Sequence, residues 1–433
     1  MDSSTGKPHS QPRLYWRLQI TRSQKATWYP LGEGILHILV LNKELNIKND
    51  ESIVYGIGGM KSSKVNRSKN LRVNCALECH NMNSKQKLRL GIIGAGPIAQ
   101  IAHLPAAKKA SNVEVVALCD IALDLGRAMA VKYAIPNFYT DVNSLLRNDE
   151  IDAVLIAVAD QFHADLTIDA LESGKHVLVE KPLASTVEEC IRIVDTVKRT
   201  GRKVQMGCMK RYDPGLQFAK KFSDEDLGTK FASHFWYCDS VFHMEYVHTC
   251  AGVLLSSRMS KKPEKGYEDP DLAIILGHGV HLIDTIRWFM GDISAVTAKA
   301  SRNGNNVSFQ SVLEFEDGTA GTMQLTSTIK MDWFEGFHIH GEKGSVLARI
   351  FFPYWRRPAD VLAFDSKLKE YRTPAAGDTD PYEKQLEAFA EAVLNDKPVS
   401  PDAQDGLFDE ATLYAIYESV KSGRRIEVEA YGR

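Results

Sequence analysis

The sequence of 433 residues has few cysteines, no long apolar run and almost no net charge. Seven cysteines scattered over this length do not make a disulfide framework, so we expect reduced thiols and a cytoplasmic protein. A net charge of −2 provides no electrostatic basis for a nucleic-acid partner. Near the N-terminus the longest apolar run, 34–41, is too short to span a bilayer, and the residues before it do not resemble a signal peptide. We therefore expect no membrane partner.

The first 81 residues differ in charge from the rest of the chain. They contain 12 Lys and Arg against 6 Asp and Glu, whereas the other 352 residues contain 41 and 49. Their apolar stretches are short. A Cys75-x-x-x-Cys79-His80 cluster has no second pair of zinc ligands nearby, so we expect no metal site. We interpret 1–81 as a disordered arm or a mispredicted extension, and Met82 as the natural start.

A strand, a glycine turn, a helix and a second strand follow this segment directly. The apolar run Leu88–Ile93 is typical of a buried parallel strand, and Gly94–Ala99 leads into a helical pattern that ends near Ala110. Val113–Cys119 is a second strand, and Asp120 follows it at once. The size and order of these elements are those of a βαβ unit that binds a dinucleotide.

Each key residue of this unit has a physical role in dinucleotide binding. Gly94 permits a tight turn, Gly96 lets the backbone approach a pyrophosphate, and Ala99 allows close helix–strand packing. Asp120 stands where an acid accepts hydrogen bonds from the adenosine ribose diol. Because that carboxylate would repel the 2′-phosphate of NADP, and no Arg follows it immediately, we expect NAD as the cofactor. A doubly wound domain that binds no dinucleotide is the alternative.

Strand patterns continue to alternate with helix patterns as far as residue 206. The expected elements are 152–158, 163–173, 176–180, 185–200 and 203–206. This alternation predicts an α/β fold with a doubly wound parallel sheet, whose ligands bind at the carboxyl ends of the strands. Two of these ends carry polar residues, at 160–163 and 180–182.

Several motifs occur together in one order between residues 87 and 428. They are Gly94–Ala99, Glu180-Lys181-Pro182, Gln205–Pro214, Gly279-Val-His281-Leu-Ile-Asp284 and Leu313–Ala320. In this combination the chain resembles the glucose–fructose oxidoreductase/inositol dehydrogenase/rhizopine catabolism family, abbreviated Gfo/Idh/MocA. The resemblance implies an NAD-dependent oxidoreductase that transfers a hydride between the nicotinamide and a secondary alcohol of a sugar, inositol or related polyol.

The resemblance also implies a Rossmann domain at 82–206 and, at 207–433, an α+β domain with an open, largely antiparallel sheet. The residues agree independently with the second domain. Strand patterns occur at 231–237, 296–301, 307–315 and 320–328, and Asp317-Gly318 is typical of a hairpin turn. Because the resembling proteins often pair through the open face of this sheet, we expect a homo-oligomer.

Lys181 and His281 are the catalytic pair that the resemblance implies. Oxidation of an alcohol requires a base for the hydroxyl proton, and the ordinary pKa of histidine, about 6.5, suits that transfer near neutral pH. Lys181 follows a strand, and its ammonium group would hold the substrate oxygen. The alternatives are a surface lysine at 181 and a structural histidine at 281, since His281 lies in an apolar helix pattern.

Other positions are expected to contact the bound molecules. Beyond Gly94, Gly96 and Asp120, the expected cofactor contacts are Pro97, Ile98, Ala159, His163, Glu180, Lys181 and Arg211. The expected substrate contacts are Lys181, Tyr212, His278, His281 and Asp284. Two alternatives stay open, namely His163 as a plain helix N-terminal residue and 211–213 as a turn between the domains.

The sequence departs from the family at Gly277, where many of its polyol dehydrogenases have an Asp four residues before the histidine. The carboxylate that would orient the imidazole is missing, unless Asp284 or Glu180 substitutes for it. Two other functions stay open. One is NAD-assisted elimination or glycoside cleavage, and the other is a non-catalytic protein that binds NAD and a sugar to regulate a partner.

Residues 239–271 form the least regular stretch of the chain. His243, Glu245 and His248 have the residue types of a metal triad, but their spacing does not place them on one helical face. We expect a loop that covers the substrate, because long loops in compact domains tend to be functional. Trp333 and Phe334 would either stack on a sugar ring or pack in the core.

Overall fold

The computed structural model describes residues 86–431 apart from 252, 261–266, 268, 376 and 378, together with three short strands nearer the N-terminus. The chain divides into two compact units, Met1–Glu78 and Cys79–Arg433. In the first unit, β1 (Trp16–Ile20) pairs antiparallel with β2 (Ala26–Tyr29) and with β3 (Ile53–Tyr55), which the sequence pattern does not predict. The interpretation of 1–81 as an arm stays a prediction, and its Cys75–His80 cluster lies outside the described residues.

The second unit begins with a parallel sheet of six strands and the helices between them. The strands are β4 (Leu88–Ile93), β5 (Val113–Cys119), β6 (Asn137–Tyr139), β7 (Ala153–Ile156), β8 (His176–Val179) and β9 (Val204–Met206). The helices are α1 (Leu104–Lys109), preceded by a π-helical turn at Ala99–His103, α2 (Leu123–Tyr133), α3 (Val142–Leu146), α4 (His163–Glu172) and α5 (Val187–Thr200). The strand order β6-β5-β4-β7-β8-β9 confirms the doubly wound Rossmann fold. Its crevice opens at the carboxyl ends of β4 and β7, where the direction of winding reverses.

The rest of this unit is an α+β domain. Its elements are α6 (Pro214–Glu225), β10 (Lys230–Ser240), α7 (His243–Ala251), α8 (Pro270–Met290), β11 (Ile293–Asn303), β12 (Asn306–Phe315), β13 (Ala320–Ile329), β14 (Phe334–Gly341), β15 (Gly344–Ile350), β16 (Asp360–Asp365), β17 (Glu370–Arg372), α9 (Pro381–Leu394), α10 (Ala403–Ser422) and β18 (Ile426–Glu427). The nine-stranded sheet has the order β17-β16-β15-β14-β10-β13-β12-β11-β18. All of its pairs are antiparallel except β10 with β13, so the largely antiparallel sheet is confirmed.

Helix α8 is the central element of the α+β domain. Asp269 caps its first turn by accepting from the amide of Asp271 at 2.9 Å, and Pro270 occupies the first helical position. The helix is apolar on nearly all sides, which is typical of a helix buried between layers. Its Phe289 packs against Phe337 of the sheet, with ring centroids 4.6 Å apart. Such burial gives the side chains of α8 well-defined positions.

The stretch 239–271, expected to be a single irregular loop, contains the helix α7. The prediction was wrong in this respect, because α7 is short and only weakly amphipathic, so its apolar pattern does not stand out from a loop. No helix among the described residues is both long and apolar enough to cross a membrane.

Candidate active site

The glycine turn after β4 leaves an open cradle of backbone atoms. Gly94 has a φ of +102°, and a Cβ at this position would lie 2.3 Å from the carbonyl oxygen of Ala157, so only glycine fits. Gly96, in contrast, has no heavy atom within 4 Å of an added Cβ. Pro97 is exposed and Ile98 is half-buried beside it. Free space over a helix N-terminus is what a pyrophosphate requires, so these residues fit a dinucleotide.

Asp120 stabilises this turn and lies at the end of β5. Its two carboxylate oxygens accept from the backbone amides of Ala95 and Ala122, each at 2.7 Å. The carboxylate is therefore held at the strand end where the ribose of a dinucleotide lies in Rossmann domains. Ala159 is half-buried beyond the end of β7, on the other side of the crevice.

Buried hydrogen bonds hold the segment that contains Lys181. His163 places Nδ1 2.7 Å from the carbonyl oxygen of Pro182 and Nε2 3.2 Å from that of Val158, and burial lowers its pKa. Glu180 lies 2.6 Å from Nε2 of His103. Burial opposes ionisation of Glu180, but the His103 hydrogen bond and nearby positive charges hold its pKa below the ordinary value. The described contacts of His163 and Glu180 are therefore within the protein and stabilise the segment that contains Lys181. Contacts of these two residues with the cofactor stay predictions.

Lys181 extends from the end of β8 to helix α8. Its Nζ donates to the carbonyl oxygen of Gly277 at 3.0 Å, and burial lowers the pKa of the ammonium group. His281 lies one turn further along the same helix, close enough for the charge of Lys181 to lower its pKa. The structure thus brings together the two residues that the sequence motifs indicate.

Both histidines of this turn contact Tyr237 of β10. The Tyr237 hydroxyl lies 3.1 Å from Nδ1 of His278, and its ring is parallel to that of His281, with centroids 6.2 Å apart. Burial, followed by the charge of Lys181, holds the pKa of His281 well below its ordinary value. Burial is also the main cause that lowers the pKa of His278 to about 4. Both imidazoles are therefore neutral near pH 7 and able to accept a proton.

A buried ion pair lies behind Tyr237. Lys210 pairs with Glu335 and also lies 4.9 Å from the centre of the Tyr237 ring. Burial raises the pKa of Glu335, which Lys210 partly offsets, and Trp333 donates to its Oε2 at 3.1 Å. Sequence reasoning missed Lys210, Tyr237 and Glu335. The weak signals for them are that Lys210 directly precedes Arg211 in a family motif and that Glu335 interrupts an apolar strand.

Asp284 and Arg211 are bonded to each other rather than facing the histidines. Nη2 of Arg211 lies 2.7 Å from the Asp284 carboxylate, both side chains are buried, and Nη1 of Arg211 donates to Ser400 Oγ at 3.0 Å. The Tyr212 hydroxyl donates to the carbonyl oxygen of Ser400. These contacts fix the turn between β9 and α6 to α8 and to Ser400 within the α+β domain, which agrees with the alternative of a turn at 211–213. Direct ligand contacts by Arg211, Tyr212 and Asp284 stay predictions.

Neither acid proposed to replace the missing carboxylate is bonded to His281 in the described part of the chain. Asp284 is paired with Arg211, and Glu180 with His103. The hypothesis that one of them orients the imidazole therefore has no support from the contacts. The ring of Tyr237 is the described neighbour that lies along the ring of His281.

The described residues of the segment after α7 contact the Rossmann domain at three points. Gln100, beside the glycine turn, bonds both the amide and the carbonyl of Leu255, at 2.9 and 3.0 Å. Ser257 donates to Asp124 at the start of α2, and Tyr267 donates to Asp160 beyond β7. The described residues 253–260 and 267 therefore form a strap along the crevice, which agrees with a covering loop and adds contacts on the cofactor side.

His243, the first residue of the possible metal triad, has other contacts in the structure. His243 bonds Asp239 at 2.9 Å and packs edge-on against Trp333, which is buried under Tyr237. Among the described residues no group of three His, Cys, Asp or Glu is arranged to hold a metal ion. Phe334 points to the other face of the sheet, where it stacks on Trp236.

A cradle for a dinucleotide next to an amine and two neutral imidazoles suits hydride transfer coupled to proton transfer, which is the chemistry of an oxidoreductase. Comparison with known families agrees. Residues 88–208 match an oxidoreductase family described as an NAD-binding Rossmann fold, and residues 265–428 match its C-terminal alpha/beta domain. The chain belongs to this family, Gfo/Idh/MocA, and carries its NAD-binding domain.

Its relatives include several sugar and inositol enzymes. The chain is 30% identical over 358 residues to inositol 2-dehydrogenase 2 of Saccharopolyspora erythraea, covering 79% of this chain and 96% of the relative. It is 28% identical over 362 residues to inositol 2-dehydrogenase of Salmonella typhimurium, covering 79% and 97%. A solved structure of levoglucosan dehydrogenase with NADH and levoglucosan has the same fold, with a TM-score of 0.66, 21% identity, and coverage of 80% and 100%.

Proposed function

We propose that the protein uses NAD to oxidise a secondary alcohol of a sugar, inositol or related polyol, or to reduce the corresponding ketone. The observation that carries this proposal is the position of Lys181, whose ammonium group reaches helix α8 within electrostatic range of the neutral His281. The names of the related dehydrogenases support the same substrate class.

The residues have complementary tasks in this reaction. A dinucleotide held by the Gly94–Ala99 turn and Asp120 would supply the hydride acceptor as NAD for oxidation and the hydride donor as NADH for reduction. Lys181 Nζ donates a hydrogen bond to the substrate oxygen and stabilises the negative charge that develops on it. An imidazole nitrogen of His281 takes the hydroxyl proton as the carbonyl forms, and gives it back in the reverse direction. The Tyr237 ring and the buried Lys210–Glu335 pair hold this arrangement from behind.

The preference for NAD over NADP belongs to the proposal. The Asp120 carboxylate is oriented by two backbone amides, and this supports a role in binding the ribose diol and repelling a 2′-phosphate. Because of these two hydrogen bonds, displacing the carboxylate to make room for a 2′-phosphate would cost free energy.

Assembly and location are also proposed. The outer face of the nine-stranded sheet exposes Val312, Phe334 and Leu362, which supports pairing with a second copy through this face. Light scattering on the wild type and on a Val312→Lys/Leu362→Lys variant would test it, with a drop in mass expected for the variant. Four of the described cysteines are buried and unpaired, which supports a reducing, cytoplasmic setting.

The central experiment is a screen for NADH formation with inositols, hexoses, pentoses and sugar acids. Turnover of at least one polyol, lost in Lys181→Ala, is the expected result. Thermal stabilisation by NAD plus a sugar without any turnover would instead indicate the regulatory protein. Release of an elimination or cleavage product without net NADH would indicate the third function.

A further inference from the structure

Four carboxylates around the site are paired with basic side chains, while Asp160 accepts from the Tyr267 hydroxyl. The pairs are Glu335–Lys210, Asp239–His243 (2.9 Å), Glu180–His103 (2.6 Å) and Asp284–Arg211 (2.7 Å). Lys181 differs from these basic residues, since its Nζ contacts an uncharged group, the carbonyl oxygen of Gly277 at 3.0 Å. Within the described part of the chain, this half-buried ammonium group has no carboxylate at salt-bridge distance. Burial lowers the pKa of this group, and the charges of Glu180 and Asp160 act on it only from beyond salt-bridge distance, so its N–H groups remain available to an anion.

Open space lies over Gly277, the residue whose carbonyl oxygen accepts from Lys181. A Cβ added at Gly277 would have no heavy atom within 4 Å, whereas one added at Gly279, two residues on, would lie 2.8 Å from Leu413. Packing therefore requires glycine at 279 but not at 277. Inside a helix glycine is less stabilising than alanine. The effect of Gly277 is to leave the site open at the point where Lys181 meets α8.

The neighbouring groups favour a negative rather than a neutral occupant. His278 and His281 are neutral, Lys210 adds a paired positive charge behind them, and the charge of Lys181 lowers the pKa of both histidines. An ammonium group without a described salt-bridge partner, near a space the size of a small side chain, suits a compact occupant with a single negative charge. A carboxylate meets that description, while a phosphate carries nearly two charges and calls for several donors.

We infer that the physiological substrate is an acidic sugar whose carboxylate lies beside Gly277 and pairs with Nζ of Lys181. This inference rests on the proposed function and names its substrate class. The ammonium group has three N–H donors, of which Gly277 takes one, so it can bind the carboxylate and the reacting hydroxyl together when these are on adjacent carbons. The substrate then supplies a carboxylate in direct contact with Nζ, which no described residue provides.

The test compares acids with neutral sugars of the same ring stereochemistry. D-glucuronate against D-glucose and D-galacturonate against D-galactose, with myo-inositol as a further neutral compound, are measured for kcat/KM with NAD. Because loss of one member of a desolvated charge pair is strongly unfavourable, kcat/KM for the favoured acid should exceed that for its neutral partner by about 30-fold or more. Its KM should also rise with ionic strength, while that of a neutral sugar should not.

Variants at Gly277 separate charge from volume. Gly277→Asp places a carboxylate beside Lys181, so it should abolish the preference for acids and raise the relative rate on neutral polyols. Gly277→Asn fills the same volume without the charge and should keep part of that preference, while Gly277→Ala should change it least. Thermal unfolding and NADH affinity of each variant show that the fold and cofactor site are intact.

The outcomes distinguish this inference from the proposed function. A wild type that oxidises neutral polyols as well as or better than the acids overturns the inference and leaves the function standing. Identical substrate preference in Gly277→Asp and Gly277→Asn also overturns it. If no compound is turned over, calorimetry with the NADH-loaded protein decides. Selective binding of the acids would then support the inferred substrate class and contradict the oxidoreductase function. Equal binding of acids and neutral sugars, or no binding of either, would contradict both proposals.

Discussion

The cofactor side of the site is made largely of backbone atoms from one βαβ unit, whereas the substrate side is made of side chains from several separate elements. On the first side, Gly94, Gly96 and Asp120 act through turn geometry and amide hydrogen bonds. On the second, burial and the charge of Lys181 keep His281 neutral. A change on the cofactor side should therefore alter binding or folding, and a change on the substrate side should alter the chemical step.

The largest expected effect is that of Lys181→Ala on turnover. Loss of the group that stabilises the developing oxyanion should lower kcat/KM by about 100- to 10,000-fold. Affinity for NADH, measured by fluorescence titration, should change little, because the cradle is elsewhere. Lys132→Ala on the exposed surface of α2 is the matched control and should behave as the wild type. Full turnover in Lys181→Ala would remove this residue from the mechanism.

Gly94→Ala and Gly96→Ala divide the cofactor side into folding and binding. In Gly94→Ala the added Cβ would clash with the carbonyl oxygen of Ala157, and alanine would have to adopt an unfavourable positive φ. The substitution should therefore lower the free energy of unfolding by about 1–3 kcal/mol. Gly96→Ala has free space and should leave stability unchanged, while its methyl group weakens NADH binding by about tenfold or more. Thermal unfolding and NADH titration measure the two effects. Equal NADH affinity in Gly96→Ala and wild type would contradict the position given to the pyrophosphate.

Asp120→Asn tests the chemistry of cofactor selection. Removing the negative charge should narrow the preference for NAD over NADP by about tenfold, through a gain with NADP. The ratio of kcat/KM values for the two cofactors measures it, and Asp149→Asn on the exposed surface serves as the control. A wild type that uses both cofactors equally well would already contradict the role of Asp120.

The strap should contribute less than the cradle. Gln100→Leu removes both bonds to Leu255 and also the bond to the Ala95 carbonyl oxygen in the glycine turn, and NADH should then dissociate about threefold to tenfold faster, since each such bond contributes about 1 kcal/mol. Stopped-flow fluorescence measures the dissociation rate. Ser257→Ala, which removes an exposed contact to Asp124, should have a smaller effect. An unchanged rate in both variants would show that the strap does not retain the cofactor.

The smallest shift concerns the pH dependence of oxidation. The pKa of His281 lies below its ordinary value, so the imidazole stays neutral down to a pH below about 6.5 and loses its ability to accept a proton only at lower pH. The acid limb of kcat/KM should therefore lie below pH 6.5. Removing the charge of Lys181 should raise the pKa of His281 and move the limb upward in the residual activity of Lys181→Ala. A limb above the ordinary histidine pKa in the wild type would exclude His281 as the base.

Much of the fold is predictable because its signals are local. The apolar runs of β4 and β5, the glycines between them and the following acid identify the Rossmann unit without any distant contact. The hairpin at Asp317-Gly318 is predictable for the same reason, since Gly318 adopts a φ of +83° that favours glycine. Helix α7 was missed because a short helix without a strong apolar stripe has no distinct period.

The substrate side was only partly predictable. Motifs indicated Lys181 and His281, but Tyr237 and the Lys210–Glu335 pair come from other strands and turns, and no local pattern links them. Arg211 and Asp284 were expected at the ligands because both lie in family motifs. The structure uses them as a buried pair that fixes the turn after β9 to α8, and a motif does not reveal which partner a charged side chain will have.

By itself, the sequence determined the nucleotide-binding unit and the family, because backbone conformation in a tight turn depends on the residues within that turn. Only the tertiary structure decided the charge state of the site. Whether an imidazole is neutral, or an ammonium group has a carboxylate partner, depends on burial and on side chains brought from distant parts of the chain. Gly277 illustrates both. The sequence shows that the Asp common in the family is missing there, and the structure shows open space over this residue, whose carbonyl oxygen accepts from Lys181.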